Sequence, residues 1–144
     1  MILDNKYINI PINKSSTKTY GFVLNSLDQI HKLMLSELDK KVYYKGDKPP
    51  LNVSEWANQI AKQANKRKPL VFPYMILSTA AKFGDILKVF GVNFPLNTFR
   101  LKNMTINNIV QLSDLYQING NQQYSVQEGI DITLAWFKEH LNCS

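Results

Sequence analysis

Residues 74–91, "YMILSTAAKFGDILKVFG", constrain the fold more than any other stretch of this chain. The segment is apolar on nearly every side. Pro73 precedes it, in a position where proline is tolerated at a helix start, and Gly91 closes it. We expect a helix that is broken near Gly84. A helix without a polar face is buried or lies against another domain, so we expect other parts of the protein or another domain to pack against this one.

Two further segments predict amphipathic helices that start with a capping box, in which a polar N-cap and the residue three positions later bond each other's backbone amides. Residues 51–64 begin with Asn52 and Glu55, and residues 125–141 begin with Ser125 and Glu128. The apolar stripes comprise Val53, Trp56, Ala57, Ile60, Ala61 and Ala64 in the first segment, and Val126, Ile130, Leu134, Phe137 and Leu141 in the second.

Another helix is predicted to start at Asn25 or Ser26, both suitable N-caps, and to end in "LDKK" at 38–41. Its apolar face is expected to consist of Leu27, Ile30, Leu33 and Met34. A shorter helix is predicted to follow Ser113 as its cap.

Short strands are predicted where β-branched and aromatic residues cluster between turn residues. These segments are "KYINIPI" at 6–12, "TYGFVL" at 19–24 and "VYY" at 42–44, with "PLVFP" at 69–73 as an extended piece. The expected fold is mixed α+β and helix-rich, with short strands and about four to five helices. Its 144 residues suit a single domain, 1–144.

Composition narrows the setting. The net charge of +6 comes from 17 Lys and Arg against 11 Asp and Glu, but only Arg67 and Arg100 are arginines. A nucleic-acid site more often has clustered arginines among aromatic residues, so nucleic-acid binding ranks last. No apolar run reaches the length of a membrane span. The start has no signal-peptide pattern, and Cys143 is the only cysteine, so we expect a cytoplasmic protein.

The sequence contains no recognisable catalytic or metal-binding motif. The six glycines are far apart, which excludes a glycine-rich phosphate loop, and no Cys/His cluster has metal-ligand spacing. Tyr44 precedes Lys48 by four positions, the interval of a catalytic pair in short-chain dehydrogenases. Gly46 and the prolines that follow prevent a helix there, so we interpret this interval as chance.

The order of several segments resembles one family. These are "YGFVLN" before a helix, "YYKGDKPPLNVSEWANQIAK", "FPLNTFRLKNMT", "LSDLY" and "YSVQEGIDITLAWF". Together they resemble the C-terminal, substrate-binding half of the extended short-chain dehydrogenase/reductases, which include the NAD-dependent nucleotide-sugar epimerases and dehydratases. The resemblance runs from about residue 6 to residue 138. The family's Rossmann half, with its NAD motif and catalytic Tyr/Lys pair, has no counterpart here.

The resemblance implies a set of substrate-binding residues. Arg100 and Lys18 stand where the family places cations that contact the substrate's diphosphate, although a lysine cannot grip it with two parallel hydrogen bonds. Asn103 and Asn108 could bond sugar or ribose hydroxyls, or simply satisfy turns. For Arg100 the alternative is a helix cap or an ion pair with an acid such as Asp85 or Asp114.

The predicted function is therefore that of a nucleotide-sugar-binding lobe, catalytically incomplete as this chain. The resemblance implies NAD or NADP in the intact parent enzyme and no cofactor in this chain. It also implies a nucleotide-sugar substrate, with a Rossmann-domain partner or a second copy of the chain as further partners. The alternative is a non-catalytic protein-interaction module derived from that lobe.

Overall fold

The computed structural model describes residues 2–3, 7–36, 42–92, 94 and 96–141, which form a mixed, helix-rich α+β fold as predicted. The helices are α1 (Val23–Leu35), α2 (Val53–Gln63), α3 (Tyr74–Val89), α4 (Thr98–Thr105), α5 (Ser113–Asn119) and α6 (Val126–Leu141), and a 3-10 helix spans Ile12–Lys14. The strands have two residues each: β1 (Ile8–Asn9), β2 (Thr17–Lys18), β3 (Leu51–Asn52) and β4 (Leu70–Val71).

The chain forms two compact units, each assembled from two separate stretches of sequence. The first unit contains the described residues of 1–17 and 52–108, and the second contains those of 18–51 and 109–144. β2 and β3 each begin in one unit and end in the other. The units are therefore not successive halves of the sequence.

The core of the first unit lies between a small sheet and two helices. β1 pairs in parallel with β4, and Ile8 stands opposite Leu70. α3 packs against α4. The buried core residues are Ile10, Leu77, Ala81 and Leu101, with Phe72, Leu96 and Met104 packed against them.

Buried polar side chains fasten β1 to the start of α2. The Asn9 amide donates to the Ser54 carbonyl at 3.1 Å, and the Ser54 hydroxyl donates to the Ile10 carbonyl at 2.9 Å. The predicted N-cap of α2 is confirmed, because Asn52 Oδ1 accepts from the amides of Ser54 and Glu55. These bonds satisfy amides that a helix start otherwise leaves without partners.

The expected break in the apolar helix is wrong, since α3 continues through Gly84 from Tyr74 to Val89. Gly84 instead allows a close contact with a neighbouring segment of the chain. A Cβ atom at this position would collide with the Leu96 carbonyl oxygen and would lie 2.8 Å from the Phe94 ring. The missing side chain therefore lets the segment before α4 lie directly on α3. The expected end of the helix is confirmed, with Gly91 in the left-handed region at φ +80°.

α4 is the helix that the sequence pattern did not predict. Its N-cap is Asn97, whose Oδ1 accepts from the Arg100 amide at 2.8 Å. The surrounding asparagines and prolines look like turn residues, and this masks the cap. Leu101 is the buried residue of the helix.

In the second unit, α1 presents the opposite face from the one predicted. Its buried residues are Asn25, Ser26 and Gln29. Leu27, Ile30 and Met34, which were expected to be buried, are 57%, 41% and 79% exposed. The helix follows Phe22 directly and ends at Leu35, so Asn25 and Ser26 lie inside it and do not cap it. The predicted end at 38–41 falls outside the described residues.

Two predicted strands do not form. Residues 19–22 have no regular structure, and Val23 and Leu24 belong to α1. "VYY" at 42–44 also forms no strand. A strand needs a neighbour with which to exchange backbone hydrogen bonds, and residues 42–45 take part in no hydrogen bond within the described part of the chain.

The two C-terminal helices provide the apolar core of the second unit. α5 packs against α1, and Leu115 is 1% exposed. Ile130 and Leu134 on α6 are buried, as the stripe predicted. The capping box of α6 is confirmed: the Ser125 amide donates to Glu128 Oε2 at 2.7 Å, and the Glu128 amide donates to Ser125 Oγ at 3.3 Å.

Ser113, by contrast, is the first residue of α5 and not its cap, which is Leu112. Several large aromatic side chains are on the surface: Phe83, Phe90 and Trp136 are 59%, 77% and 50% exposed. Among the described helices, none combines the length and apolar character needed to cross a bilayer.

Candidate functional site

The candidate substrate-binding surface lies on α4, because this helix carries two of the four predicted substrate-binding residues, Arg100 and Asn103. Arg100 and Asn103 are both exposed. They are three positions apart in a continuous helix, so they share one face. α4 contains two cations, Arg100 and Lys102, and no acid. The local charge of this helix therefore favours an anionic ligand.

A firm support holds the start of α4. Asp85 on α3 accepts hydrogen bonds from both the amide and the hydroxyl of Thr98, the first residue of α4. A carboxylate at a helix N-terminus also interacts favourably with the helix dipole. Together with the close approach of Leu96 to Gly84, this contact fixes the position of α4 relative to α3.

The two acids that were alternative partners for Arg100 have other hydrogen bonds. Asp85 accepts from Thr98, and Asp114 accepts from the Ser113 hydroxyl at 3.1 Å. The Arg100 backbone is engaged by the Asn97 cap. Arg100 as a whole is an exposed residue.

Phe99 is a residue that the sequence reasoning missed. It is 71% exposed and immediately precedes Arg100. Four positions separate it from Asn103, so the ring also borders the face formed by Arg100 and Asn103. The signal that could have revealed it is Asn97, because recognising that N-cap predicts a helix and places Phe99 beside Asn103.

The other two predicted residues lie elsewhere. Asn108 is exposed at the end of the first unit, where its amide donates to the Thr17 carbonyl at 3.0 Å. Lys18 is half-buried in β2 and belongs to the second unit. Within the first unit, α4 thus brings together Arg100 and Asn103, while Asn108 follows three residues after the helix.

A pocket of about 150 Å³ in the first unit is distinct from the α4 face. Arg67 and Lys68 contribute its positive charge, and Tyr7 contributes an aromatic ring. Both cations are exposed and follow the end of α2. The pocket supplies a second basic surface against which the α4 face can be compared.

In the second unit, Tyr116 is a partly buried phenol with a perturbed pKa. Burial raises this pKa, the amide of Lys48 opposes that shift, and the negative charge of Asp47 adds to it. The hydroxyl donates to Gln122 Oε1 at 2.6 Å, and the Lys48 ammonium lies 4.2 Å above the ring. Lys48 is thus engaged with Tyr116, and the surrounding residues 42–50 are not helical, as expected for the Tyr44–Lys48 interval.

The α4 face is suited to binding a ligand, because its side chains are a guanidinium, an amide and an aromatic ring. A guanidinium forms paired hydrogen bonds with phosphate oxygens, an amide bonds hydroxyls, and an aromatic ring offers a stacking surface. Within the described residues, no group of three or more His, Cys, Asp or Glu side chains is placed to hold a metal ion.

Comparison with known proteins shows a likeness in fold. No known protein family matches the sequence, and no curated protein does so. The fold is similar to that of the solved structure of gox2253, with a TM-score of 0.70 and 14% sequence identity. The match covers 97% of this chain and 43% of that one. At this identity the likeness establishes the fold alone, and the chain spans less than half the length of gox2253.

Proposed function

We propose that this chain is the substrate-binding lobe of an NAD-dependent nucleotide-sugar epimerase or dehydratase, and that the redox chemistry belongs to a region outside these residues. The observation that carries the proposal is the exposed face of α4, where Arg100 and Asn103 lie side by side. The ordered sequence segments that resemble this family support the proposal. So does the fold likeness to a protein more than twice as long, because a lobe is expected to be part of a larger chain.

In this proposal the residues of α4 have separate roles. Arg100 binds the diphosphate through its planar guanidinium, which suits phosphate oxygens better than a lysine does. Asn103 bonds a hydroxyl of the ribose or the sugar. Phe99 offers a stacking surface to the base. Asn108 remains a candidate contact to the same ligand.

The intact enzyme would use bound NAD or NADP to remove a hydride from a sugar carbon and return it. The residues of the 144-residue chain would hold and orient the substrate. We expect the purified chain to bind nucleotide sugars without converting them, and its affinity to be weak, with a Kd of about 1 mM, because half of the site is missing.

Titration of the chain with each ligand, followed by the shifts of the protein's amide signals in NMR, tests the binding role. UDP-glucose, dTDP-glucose and GDP-mannose are added in turn, with glucose alone as the ligand that lacks phosphate. Arg100→Ala is expected to weaken binding at least about 10-fold, and Arg100→Lys by less, since a charged hydrogen bond is lost in the first case and only the paired geometry in the second.

Arg67→Ala is the matched control, because Arg67 is the other arginine of the chain and is also exposed. Binding that weakens equally in Arg67→Ala and Arg100→Ala would mean a non-specific basic surface. A complete lack of amide shifts at about 10 mM ligand, ten times the expected Kd, would reject the proposal.

A non-catalytic interaction module is the second candidate function, and the exposed apolar surface of α3 favours it. Met75 and Val89 are 81% and 83% exposed on this helix, and Phe90 at its end is 77% exposed. Large exposed apolar surfaces are a feature of sites that another protein covers. Self-association or partner binding in a chain that binds no nucleotide sugar would favour this function.

A further inference from the structure

The outward side of α3 is apolar, although the inward side of this helix already belongs to the core of the first unit. The outward apolar residues are Met75, Phe83 and Ile86, followed by Phe90 at the C-cap. Steps of eight, three and four residues place these four side chains on one side of a helix. Each of them is more than half exposed. This side therefore gains stability from a partner that removes it from water.

The positive charge of the chain is concentrated in the same unit. The segments of the first unit, 1–17 and 52–108, contain ten lysines and arginines against three acidic residues, a net charge of +7. The segments of the second unit, 18–51 and 109–144, contain seven lysines against eight acidic residues, a net charge of −1. The net charge of +6 thus arises from the unit that exposes the apolar side of α3.

Exposed cations also stand on α3 itself. Lys82 is exposed and lies four positions before Ile86, so the two side chains share one side of the helix. Lys88 is exposed near the end of the helix. The one acid of α3, Asp85, accepts hydrogen bonds from Thr98. The outward side of α3 therefore combines large apolar side chains with positive charge.

A membrane surface that contains anionic lipid matches both properties. We propose that the first unit docks on such a surface through the outward side of α3, with the helix axis parallel to the membrane. The four apolar side chains enter the boundary between headgroups and acyl chains. Lys82 and Lys88 contact the lipid phosphates, and the apolar stem of Lys82 lets its ammonium reach them from among the apolar side chains.

The combination of features favours lipid over two other partners. A nucleic acid would match the charge of the first unit but not the large apolar side chains. An uncharged apolar protein surface would match the side chains but not the charge. The docked helix lies on the bilayer and does not cross it, in keeping with its length and composition. This inference is independent of the proposed function, because it uses neither Arg100 nor Asn103.

Co-sedimentation of the 144-residue chain with vesicles tests the proposal. One set of vesicles is phosphatidylcholine alone, and the other contains about one third phosphatidylglycerol, which supplies the negative surface charge. We expect the chain to bind the anionic vesicles at least about 10-fold more tightly than the neutral ones. Raising the salt from about 0.1 M to about 1 M is expected to weaken that binding, because it shortens the range of the attraction.

Variants of α3 locate the contact. Phe90→Ser is expected to weaken binding at least about 10-fold, and Met75→Ser about 5-fold, since each removes an apolar side chain that the membrane takes out of water. Met34→Ser is the matched control for Met75→Ser, because Met34 has nearly the same exposure, 79% against 81%, but lies on α1 in the other unit.

Lys82→Gln tests the role of charge. It is expected to weaken binding to the anionic vesicles about 5-fold, because one cation near the anionic surface is lost. Lys138→Gln, at an exposed position of α6 in the second unit, is the matched control and should leave binding unchanged. Circular dichroism shows whether each variant is folded, and the separate substitutions at 75, 82 and 90 keep the test decisive if one of them is not.

The proposal is overturned if the chain does not bind anionic vesicles, or binds them no more tightly than neutral ones. It is also overturned if Met75→Ser and Met34→Ser weaken binding equally, since the contact is then not on α3. A chain that stays off the vesicles and forms dimers that Phe90→Ser dissociates would overturn it too, because the outward side of α3 then covers a second copy. Nucleotide-sugar binding is measured without vesicles, so either proposal can fail alone.

Discussion

The side chain of Asn25 forms two hydrogen bonds with the backbone of Tyr124, 99 positions away in the sequence. Asn25 Nδ2 donates to the Tyr124 carbonyl, and Asn25 Oδ1 accepts from the Tyr124 amide, both at 2.9 Å. Asn25 Nδ2 also donates to Asp47 Oδ2 at 3.0 Å. A single asparagine, 1% exposed, thus joins α1 to the segments around Asp47 and Tyr124.

Replacing Asn25 with alanine is expected to lower the free energy of unfolding of the second unit by about 3 kcal/mol, because buried backbone groups of Tyr124 and the Asp47 carboxylate lose partners. Urea unfolding followed by Trp136 fluorescence in a Trp56→Phe background reports on this unit. The exposed residue Asn13 provides the control Asn13→Ala, expected to shift stability by no more than about 0.5 kcal/mol. Equal losses in the two variants would contradict the role assigned to Asn25.

Replacing Gly84 with alanine is expected to destabilise the first unit by about 2 kcal/mol, although alanine is the better helix former by about 1 kcal/mol. The added methyl group collides with the Leu96 carbonyl and displaces the segment before α4. Urea unfolding followed by Trp56 fluorescence measures the change. Lys82→Ala, at an exposed position of the same helix, should be nearly neutral. A Gly84→Ala variant more stable than the wild type would show that the segment moves without cost.

Local patterns predicted the parts of the fold that depend on neighbours within one helical turn. Asn52 caps α2, and Ser125 pairs with Glu128, because both partners of each contact lie within three positions. The buried stripe of α6 follows from helical periodicity in the same way. Such contacts are specified by spacing, and spacing is what a sequence displays directly.

The burial pattern of α1 could not be predicted in this way. Apolar residues normally face inwards, but the partners of Asn25 lie 22 and 99 positions away. Once the hydrogen bonds of Asn25 and Gln29 fix the polar side inwards, the apolar side has to face outwards. The strand predicted for "VYY" fails for a similar reason. Its residues have strand propensity, but the described part of the chain provides no partner strand.

The residues of the candidate site could be selected from the sequence, but their arrangement could not. Arg100 and Asn103 were selected by a family resemblance, and only the presence of α4 puts them on one face. Asn97, which caps that helix, resembles a turn residue in a segment rich in asparagine. Phe99 was overlooked because its position beside Asn103 depends on the same unpredicted helix.

Tyr116 provides a test at alkaline pH. Burial raises its pKa above the usual 10.0, so the folded state favours the neutral phenol. Because the pKa of the folded state is the higher one, ionisation of this phenol opposes folding above pH 10. A difference titration of tyrosinate absorbance between the wild type and Tyr116→Phe isolates one phenol. We expect it to ionise above pH 10, and ionisation at or below that value would contradict the buried environment.

Glu128 provides the opposite test at acid pH. The Ser125 amide, and then its hydroxyl, bond the carboxylate and lower the pKa of Glu128 from its usual value near 4.5. The resulting stabilisation is present above pH 4.5 and is lost as the pH falls through the lower pKa of the folded state.

Glu128→Gln keeps an acceptor for the Ser125 amide but does not titrate. Urea unfolding at a series of pH values should therefore show that the wild type loses stability relative to this variant as the pH is lowered below 4.5. Ser125→Ala keeps the amide and loses the hydroxyl, so its pH dependence should be intermediate. Identical pH dependence in the wild type and Glu128→Gln would mean that the capping box of α6 does not contribute to acid sensitivity.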